Sequence, residues 1–532
     1  MFLKQFIPLE NTNLFSSLFL DYISQSEKVK PFYKYHFSEK DFSSYLQETN
    51  FEDHNRSVLV ERLHHQSALV SNTTSNTIDN INLLNNKNTF TVTTGHQLCL
   101  FTGPLYFIYK IISTINLCET LSVKFPSKKF VPIYWMASED HDFEEINHVQ
   151  VFGKKVVWNS EEKGSVGNFK TDGLQQVISD LKTILGDHKH VNHLIQLFEN
   201  AYLTNNNLSN ATRYLVNELF GEYGLITLDG NDKHLKQLFI EEFKADMFEN
   251  KAFESVTKTI KELNFNYETQ VSPRIINVFY TEPNLRERIE KQGNRYQVLN
   301  TQMSFSREEL EHIIESNPEK LSPNVVLRPL YQQKILPNIA YVGGPGELAY
   351  WLEYKHMFDA FKINFPILIP RHLVMLIDKG TQQKIEKFNL KAVSLFQETE
   401  SLIKDFIKTE HADKHLDEFN NSINSIFASI AELISTIDKS LIGSVEAEKQ
   451  KTLNGILNLD QKINKALKLK SETEVNQIWS IKSKLFPNQI PQERYDNFSM
   501  YYSKYGNDFI KNLKDALTYQ LNSFEYTILK EE

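Results

Sequence analysis

The chain has 532 residues, 41% hydrophobic and 23% charged, with a formal net charge of −9 and a pI near 6.0. That length calls for two to four domains, and the acidity argues against a broad nucleic-acid-binding face while leaving room for a local basic pocket. Two cysteines, Cys99 and Cys118, exclude a disulfide framework and favour a cytoplasmic setting; no apolar run reaches the roughly 18–20 residues of a membrane span, and the N-terminal stretch lacks the pattern of a secretory signal.

Residues 1–75 read as polar helices, with Ser38-Glu39-Lys40-Asp41 as a helix start and Asn55–Leu69 as an amphipathic segment. Asn72–Asn88 reads as a helix followed by an exposed loop. Phe90–Val92 is a short strand running into Thr93-Thr94-Gly95-His96-Gln97. A second turn, Thr102-Gly103-Pro104, opens a helix in which Leu105, Ile108, Ile111, Ile112 and Ile115 recur at helical spacing. Lys128–Ala137 is a second, buried strand that ends in Ser138-Glu139-Asp140-His141-Asp142. A right-handed crossover makes the two strands parallel and brings both polar clusters to one sheet edge. Ligands of α/β folds bind at that edge.

Asn147–Trp158 reads as one or two strands, and the stretch from Asp172 to Phe220 as helices. Leu225–Leu228 is a short return strand, followed by helices to Leu263 and by strands at Arg274–Tyr280 and Tyr296–Leu299. Asn324–Leu330 and Ile339–Val342 restore the α/β pattern, and Gly343-Gly344-Pro345-Gly346-Glu347 opens another helix before the strand Pro366–Ile369. Thr381–Glu472 contains no proline, and its apolar residues fall at helical spacing; Ile423, Ile426, Ile430, Leu433 and Ile437 form one stripe. Long antiparallel helices, supercoiled and seeking a second copy, are expected. Beyond them come a basic loop, Ser480–Arg494, a helical stretch, Tyr495–Leu521, and a last edge strand, Phe524–Leu529.

Three clusters could carry chemistry. Backbone N–H groups and the imidazole of Thr94, Gly95, His96, Gln97 and Gly103 could hold a phosphate or a developing negative charge; the alternative is a tight turn that needs glycine. Glu139, Asp140, His141 and Asp142 could position an amine. A metal there is disfavoured, because four consecutive residues point apart and the spacing matches no ligand motif. Gly343, Gly344, Gly346 and Glu347 have more glycine than a helix start requires, which suits close approach to a ligand. Lys482, Lys484 and Arg494 could bring positive charge over a nucleotide or carboxylate, or be a solvated surface. Cys99 stands near the first cluster as a substrate neighbour or a buried thiol.

The segments TTGHQ…TGPLY…K, PIYWMASEDHDFEEINHV, YVGGPGELAYW and IKSKLFPNQIPQER together resemble the bacillithiol-biosynthesis cysteine-adding enzyme family. The resemblance implies a ligase that joins L-cysteine through an amide to the amine of glucosaminyl malate, the last step of bacillithiol assembly. It implies a Rossmann-like α/β core related to class I aminoacyl-tRNA synthetases, with connecting-peptide insertions and a helical coiled coil that makes a homodimer. The expected domains are a first core part (1–150), an insertion with a return strand near 224–229 (151–323), a second core part (324–380), a coiled coil (381–472) and a segment packing back on the core (473–532). Gly95-His96-Gln97 stands where the synthetases carry a two-histidine motif, and Lys482–Lys484 is the nearest counterpart of their lysine loop.

On this reading cysteine is activated by a nucleotide, with ATP the first choice. Thr94–Gln97 hold the phosphate or oxyanion; Glu139, Asp140 or His141 bind the ammonium or take the amine proton. Gly343–Gly346 face the nucleotide, and Arg328 or Arg371 grips the malate carboxylates. The competing expectations are a metal-dependent hydrolase or deacetylase centred on Glu139–Asp142, and a non-enzymatic nucleotide-binding coiled-coil protein. No nucleic-acid or membrane partner is expected.

Overall fold

A computed structural model describes residues 2–49, 51–410 and 416–532; residues 411–415, inside the expected helical stretch, lie outside them. The chain falls into two units, Met1–Met375 with Gln492–Leu529, and Leu376–Pro491 with Lys530–Glu532.

The first unit is built on a five-stranded sheet. Its strands are β1 (Thr89–His96), β2 (Lys129–Met136), β3 (Ile226–Asp229), β4 (Asn338–Gly343) and β5 (Ile367–Pro370), in the order β5-β4-β1-β2-β3. Every pairing is parallel. A parallel sheet covered on both faces needs apolar side chains on both, so its strands are runs rather than alternations. In β2 every residue after Lys129 is buried. Helix α1 (Tyr106–Lys124) makes the crossover from β1 to β2, and helix α2 (Pro345–Leu352) follows β4. The chain winds outward from β1 through β2 to β3, then returns to the other side of β1 for β4 and β5. The reversal leaves a crevice between the carboxyl ends of β1 and β4, the ligand position of doubly wound sheets.

Between β2 and β3 the chain inserts a hairpin, His148–Val151 with Lys154–Val157, and the helices Leu174–Leu185, Val191–Leu203 and Leu208–Phe220. Between β3 and β4 it adds further helices and a five-stranded sheet in which Val278–Glu282, Leu285–Gln292 and Arg295–Val298 are neighbours. These strands pair antiparallel.

Four local expectations change. Phe2–Ile7 is a strand, not part of a helical start, and it pairs with Tyr526–Glu531. Tyr526–Glu531 is the middle strand of a three-stranded sheet and not an edge. Leu285–Gln292 is a strand where none was expected. The expected basic loop at Ser480 is helix as far as Leu485, so Lys482 and Lys484 sit in the last turn of Glu472–Leu485.

The second unit is helical. Asp417–Ser435 and Ile442–Lys470, of 19 and 29 residues, pack on each other, with Thr399–Glu410 and Glu472–Leu485 alongside. Ile426, Ile430, Leu433 and Ile437 of the expected stripe stay exposed within this unit. Among the described residues no helix is long and apolar enough to cross a membrane.

Candidate active site

A cavity of about 640 Å³ opens outside the carboxyl ends of β1, β2 and β4. Gly95 and His96 reach it from β1, Trp135 and Met136 from β2, and Tyr341 from β4. Gly344, Gly346 and Glu347 reach it from the start of α2, Phe279, Arg286 and Arg288 from the antiparallel sheet, and Arg494 from the returning C-terminal segment.

The floor is a buried ion pair that ties β1 to β4. Lys110 of α1 is 2% exposed; its Nζ lies 2.7 Å from Glu347 Oε2 and donates to the Gly95 carbonyl at 2.5 Å. Glu347 also accepts from the Gly344 N–H at 2.8 Å and the Tyr341 hydroxyl at 3.0 Å. Burial alone would raise the Glu347 carboxyl, but the Lys110 charge and these donors hold it below its usual range. Burial pulls Lys110 down, and Glu347 opposes that shift. A side chain at Gly95 would meet the Tyr341 hydroxyl at 3.4 Å, an ordinary contact.

His96 presents part of its ring to the cavity, between Tyr106 and Phe107. Burial, with the Lys110 and Arg371 charges, pushes it down to about 3 despite Glu347, so the imidazole is neutral at working pH. Burial pushes the Cys99 thiol up to about 12, so it stays protonated. Its sulfur lies 3.7 Å from His96 Nε2; an S–H donated to that nitrogen would leave the ring proton on Nδ1.

The loop after β1 is strained. Phe101 and Thr102 have φ of 48° and 71°, and Gly103 follows at 69°. Buried Asn497 holds the turn, donating to the Phe101 and Gly103 carbonyls at 2.9 and 2.6 Å.

One wall is acidic. Gln97 Nε2 donates to Asp140 Oδ2 at 2.8 Å and Glu145 Oε2 at 2.9 Å, so the two strand-end clusters meet directly, as the parallel crossover requires. Glu139 pairs at 2.6 Å with Lys236, which is fully buried. His141 faces Arg286 at 2.7 Å. With these side chains engaged separately, no group of three or more His, Cys, Asp or Glu among the described residues could hold a metal ion.

Basic side chains line the same cavity. Arg274, Arg288, Arg328 and Arg494 all line the cavity, and none forms an ion pair among the described residues. Arg328 lies about equally from the Trp135 and Tyr341 rings, at 5.9 and 6.0 Å. Arg371 is different: it is 3% exposed, and its two terminal nitrogens fork onto Glu493 at 2.8 and 2.7 Å. Its fork is therefore not open for a malate carboxylate.

Of the other residues singled out in the sequence, Thr94, Gly103 and Gly343 do not line the cavity. Thr94 Oγ1 donates to the Val342 carbonyl, stitching β1 to β4, and a side chain at Gly343 would come within 2.8 Å of Leu348. Lys482 and Lys484 do not line it either. Lys482 donates to the carbonyls of Leu395 and Gln397 and is buried, and Lys484 lies 3.3 Å from Asp378. Sequence reasoning missed Arg274, Arg286, Arg288 and Lys236.

Two family models cover this architecture end to end: the bacillithiol biosynthesis BshC N-terminal Rossmann-like domain at residues 3–372, and the BshC C-terminal coiled-coil domain at 374–531. The chain belongs to the BshC family. A BshC relative from Flavobacterium johnsoniae is 42% identical over 516 residues, covering 96% of this chain and 97% of that protein. Another, from Flavobacterium psychrophilum, is 42% identical over 518 residues with the same coverage. Both carry the name "Putative cysteine ligase BshC". A solved chain from Campylobacter jejuni, described as a "putative arginyl t-RNA synthetase", covers 83% of this chain and 95% of its own at 11% identity. Its TM-score is 0.26, too low to argue from. The Rossmann-like assignment of the BshC core thus rests on the family model and on the strand order.

Proposed function

We propose that the chain joins L-cysteine to the amine of glucosaminyl malate, the last step of bacillithiol assembly, through a cysteinyl carboxylate activated by ATP. The observation that carries this reading is the mixed lining of the cavity: the carboxylates Asp140 and Glu145, four guanidiniums without an ion pair among the described residues, and the neutral imidazole of His96. Cysteine and glucosamine each bring an amine, and malate brings two carboxylates. An ammonium suits Asp140 and Glu145. Carboxylates and phosphates suit Arg274, Arg288, Arg328 and Arg494, whose planar forks bind them bidentately. Gly344 and Gly346, at the start of α2, allow the nucleotide close to the backbone.

A carboxylate is a poor electrophile, so it is first converted to an acyl phosphate or adenylate. The amine then attacks the acyl carbon while the Nδ1–H of His96 steadies the negative oxygen. The test is purified protein with cysteine, glucosaminyl malate and one nucleotide at a time, read by product mass. Product with ATP is expected; no product with any nucleotide removes the reading. Asp140→Ala is expected to lower product at least tenfold with melting unchanged, and near-normal product would take Asp140 out of the reaction.

The same reading includes a homodimer formed by the helical unit. Ile426 and Leu433 on Asp417–Ser435, and Ile437 in the turn just past its end, are 56%, 63% and 74% exposed, an apolar patch that a second copy would cover. Sedimentation is expected to give twice the chain mass, and Leu433→Glu with Ile437→Glu to give the monomer.

A further inference from the structure

His141 stands between a guanidinium and two carboxylates. Its Nδ1 lies 2.7 Å from a terminal nitrogen of Arg286 and 3.7 Å from Asp140 Oδ1. Its Nε2 lies 4.0 Å from Asp142 Oδ1 and makes no hydrogen bond among the described residues. The ring also packs 5.5 Å from Phe279. A guanidinium has five N–H donors, no acceptor, and does not deprotonate in proteins. At 2.7 Å it must donate, so Nδ1 must accept. The proton of the neutral ring then sits on Nε2.

Arg286 is fixed in that pose. Its Nε donates to Ser322 Oγ at 3.1 Å, a terminal nitrogen reaches the Pro323 carbonyl at 3.4 Å, and its plane lies 3.9 Å over Phe279. Asp140 is oriented the opposite way, as an acceptor. Its Oδ1 takes the His141 backbone N–H at 2.8 Å, and its Oδ2 takes Gln97.

We propose that Arg286 is a positioning residue that locks His141 as its Nε2–H tautomer, so that His141 donates a hydrogen bond to an oxygen of the reacting acyl group while Asp140 takes the amine proton. The second half rests on the ligase reading. In that step the amine nitrogen bonds to the acyl carbon, and the carbon–oxygen bond to the leaving group breaks. The leaving group departs with the electron pair, and the proton passes to the Asp140 carboxylate.

The tautomer is read without substrate, by nitrogen NMR of histidine-labelled protein at neutral pH, with His141→Gln identifying the signals. An unprotonated Nδ1 and a protonated Nε2 are expected, and a mixture of tautomers in Arg286→Gln. A proton on Nδ1 in the native protein overturns the assignment. The donor role is read from rates. A glutamine amide places an N–H near Nε2 but is no base, so His141→Gln is expected to fall about threefold and His141→Ala at least tenfold. Equal losses in the two variants overturn the donor role, and the tautomer measurement stands even if no product forms in any assay.

Discussion

Replacing His96 with alanine is expected to lower amide formation about 100- to 1,000-fold, the usual loss when one donor to a developing oxyanion is removed. His96→Asn is expected to recover at least a tenth of the native rate, because its amide nitrogen stands near Nδ1. The ring is held at about 3, so it does not titrate near neutrality, and no limb of the rate profile between pH 5 and 9 belongs to it. A limb that vanishes only in His96→Asn would make His96 the base and end this assignment. Stability gives a second reading. The folded value lies below the ordinary value of 6.5, so the unfolded chain binds the proton more readily between the two. The His96 contribution is complete above pH 6.5 and is lost as pH falls toward 3. Denaturant titrations of His96→Asn are therefore expected to show a shallower loss of stability with acid than the native protein.

Lys110→Met is expected to destabilise the protein by about 3–5 kcal/mol, the range for breaking one partner of a buried ion pair. Lys110 is 2% exposed and Glu347 25%; the abandoned carboxylate keeps the Gly344 N–H and the Tyr341 hydroxyl and opens on the cavity, so the loss falls at the low end of that range. The Gly95 carbonyl loses its donor at the same time. Lys110→Met with Glu347→Gln is expected to regain most of the loss, because the stranded charge is gone. Urea unfolding of the three variants decides it. A single variant within about 1 kcal/mol of the native protein would show that the pair does not hold the floor of the cavity.

The acidic cluster was legible in the sequence, and the basic one only in part, Arg328 and Arg494 but not Arg274 or Arg288, for a physical reason. β1 and β2 are buried on both faces, so they stand out as apolar runs, and their crossover can have only one hand. Gln97 and Asp140 could be brought together before any coordinates. Leu285–Gln292 inverts the usual signal. Arg286 and Arg288 share one face of that strand and look into a polar cavity, so charge sits where apolar side chains are normally read. Turns at Asn284 and Gly293, both with φ of +61°, bracket its eight residues and were the signal available. Arg371 lines the cavity, but sequence spacing could not reveal that Glu493, far along the chain, already occupies its fork. Lys482 and Lys484 were misplaced because a helix that continues past a composition change carries no mark of it.

The long interruption between Met375 and Gln492 sets an order of events at the ribosome. When the first core segment has emerged, Arg371 has no Glu493, and the left-handed turn at Phe101–Gly103 has no Asn497. Translation runs at about 5–20 residues per second, so several seconds pass while the helical unit is made. Over that interval the nascent core carries an uncompensated guanidinium and an unsupported loop. Only the last stretch of the chain closes the cavity wall, with Arg494 entering beside Glu493 and Asn497. A chain cut short before Gln492 has every strand of the parallel sheet and lacks Arg494 at the cavity and the Glu493 and Asn497 partners of Arg371 and the Phe101–Gly103 turn.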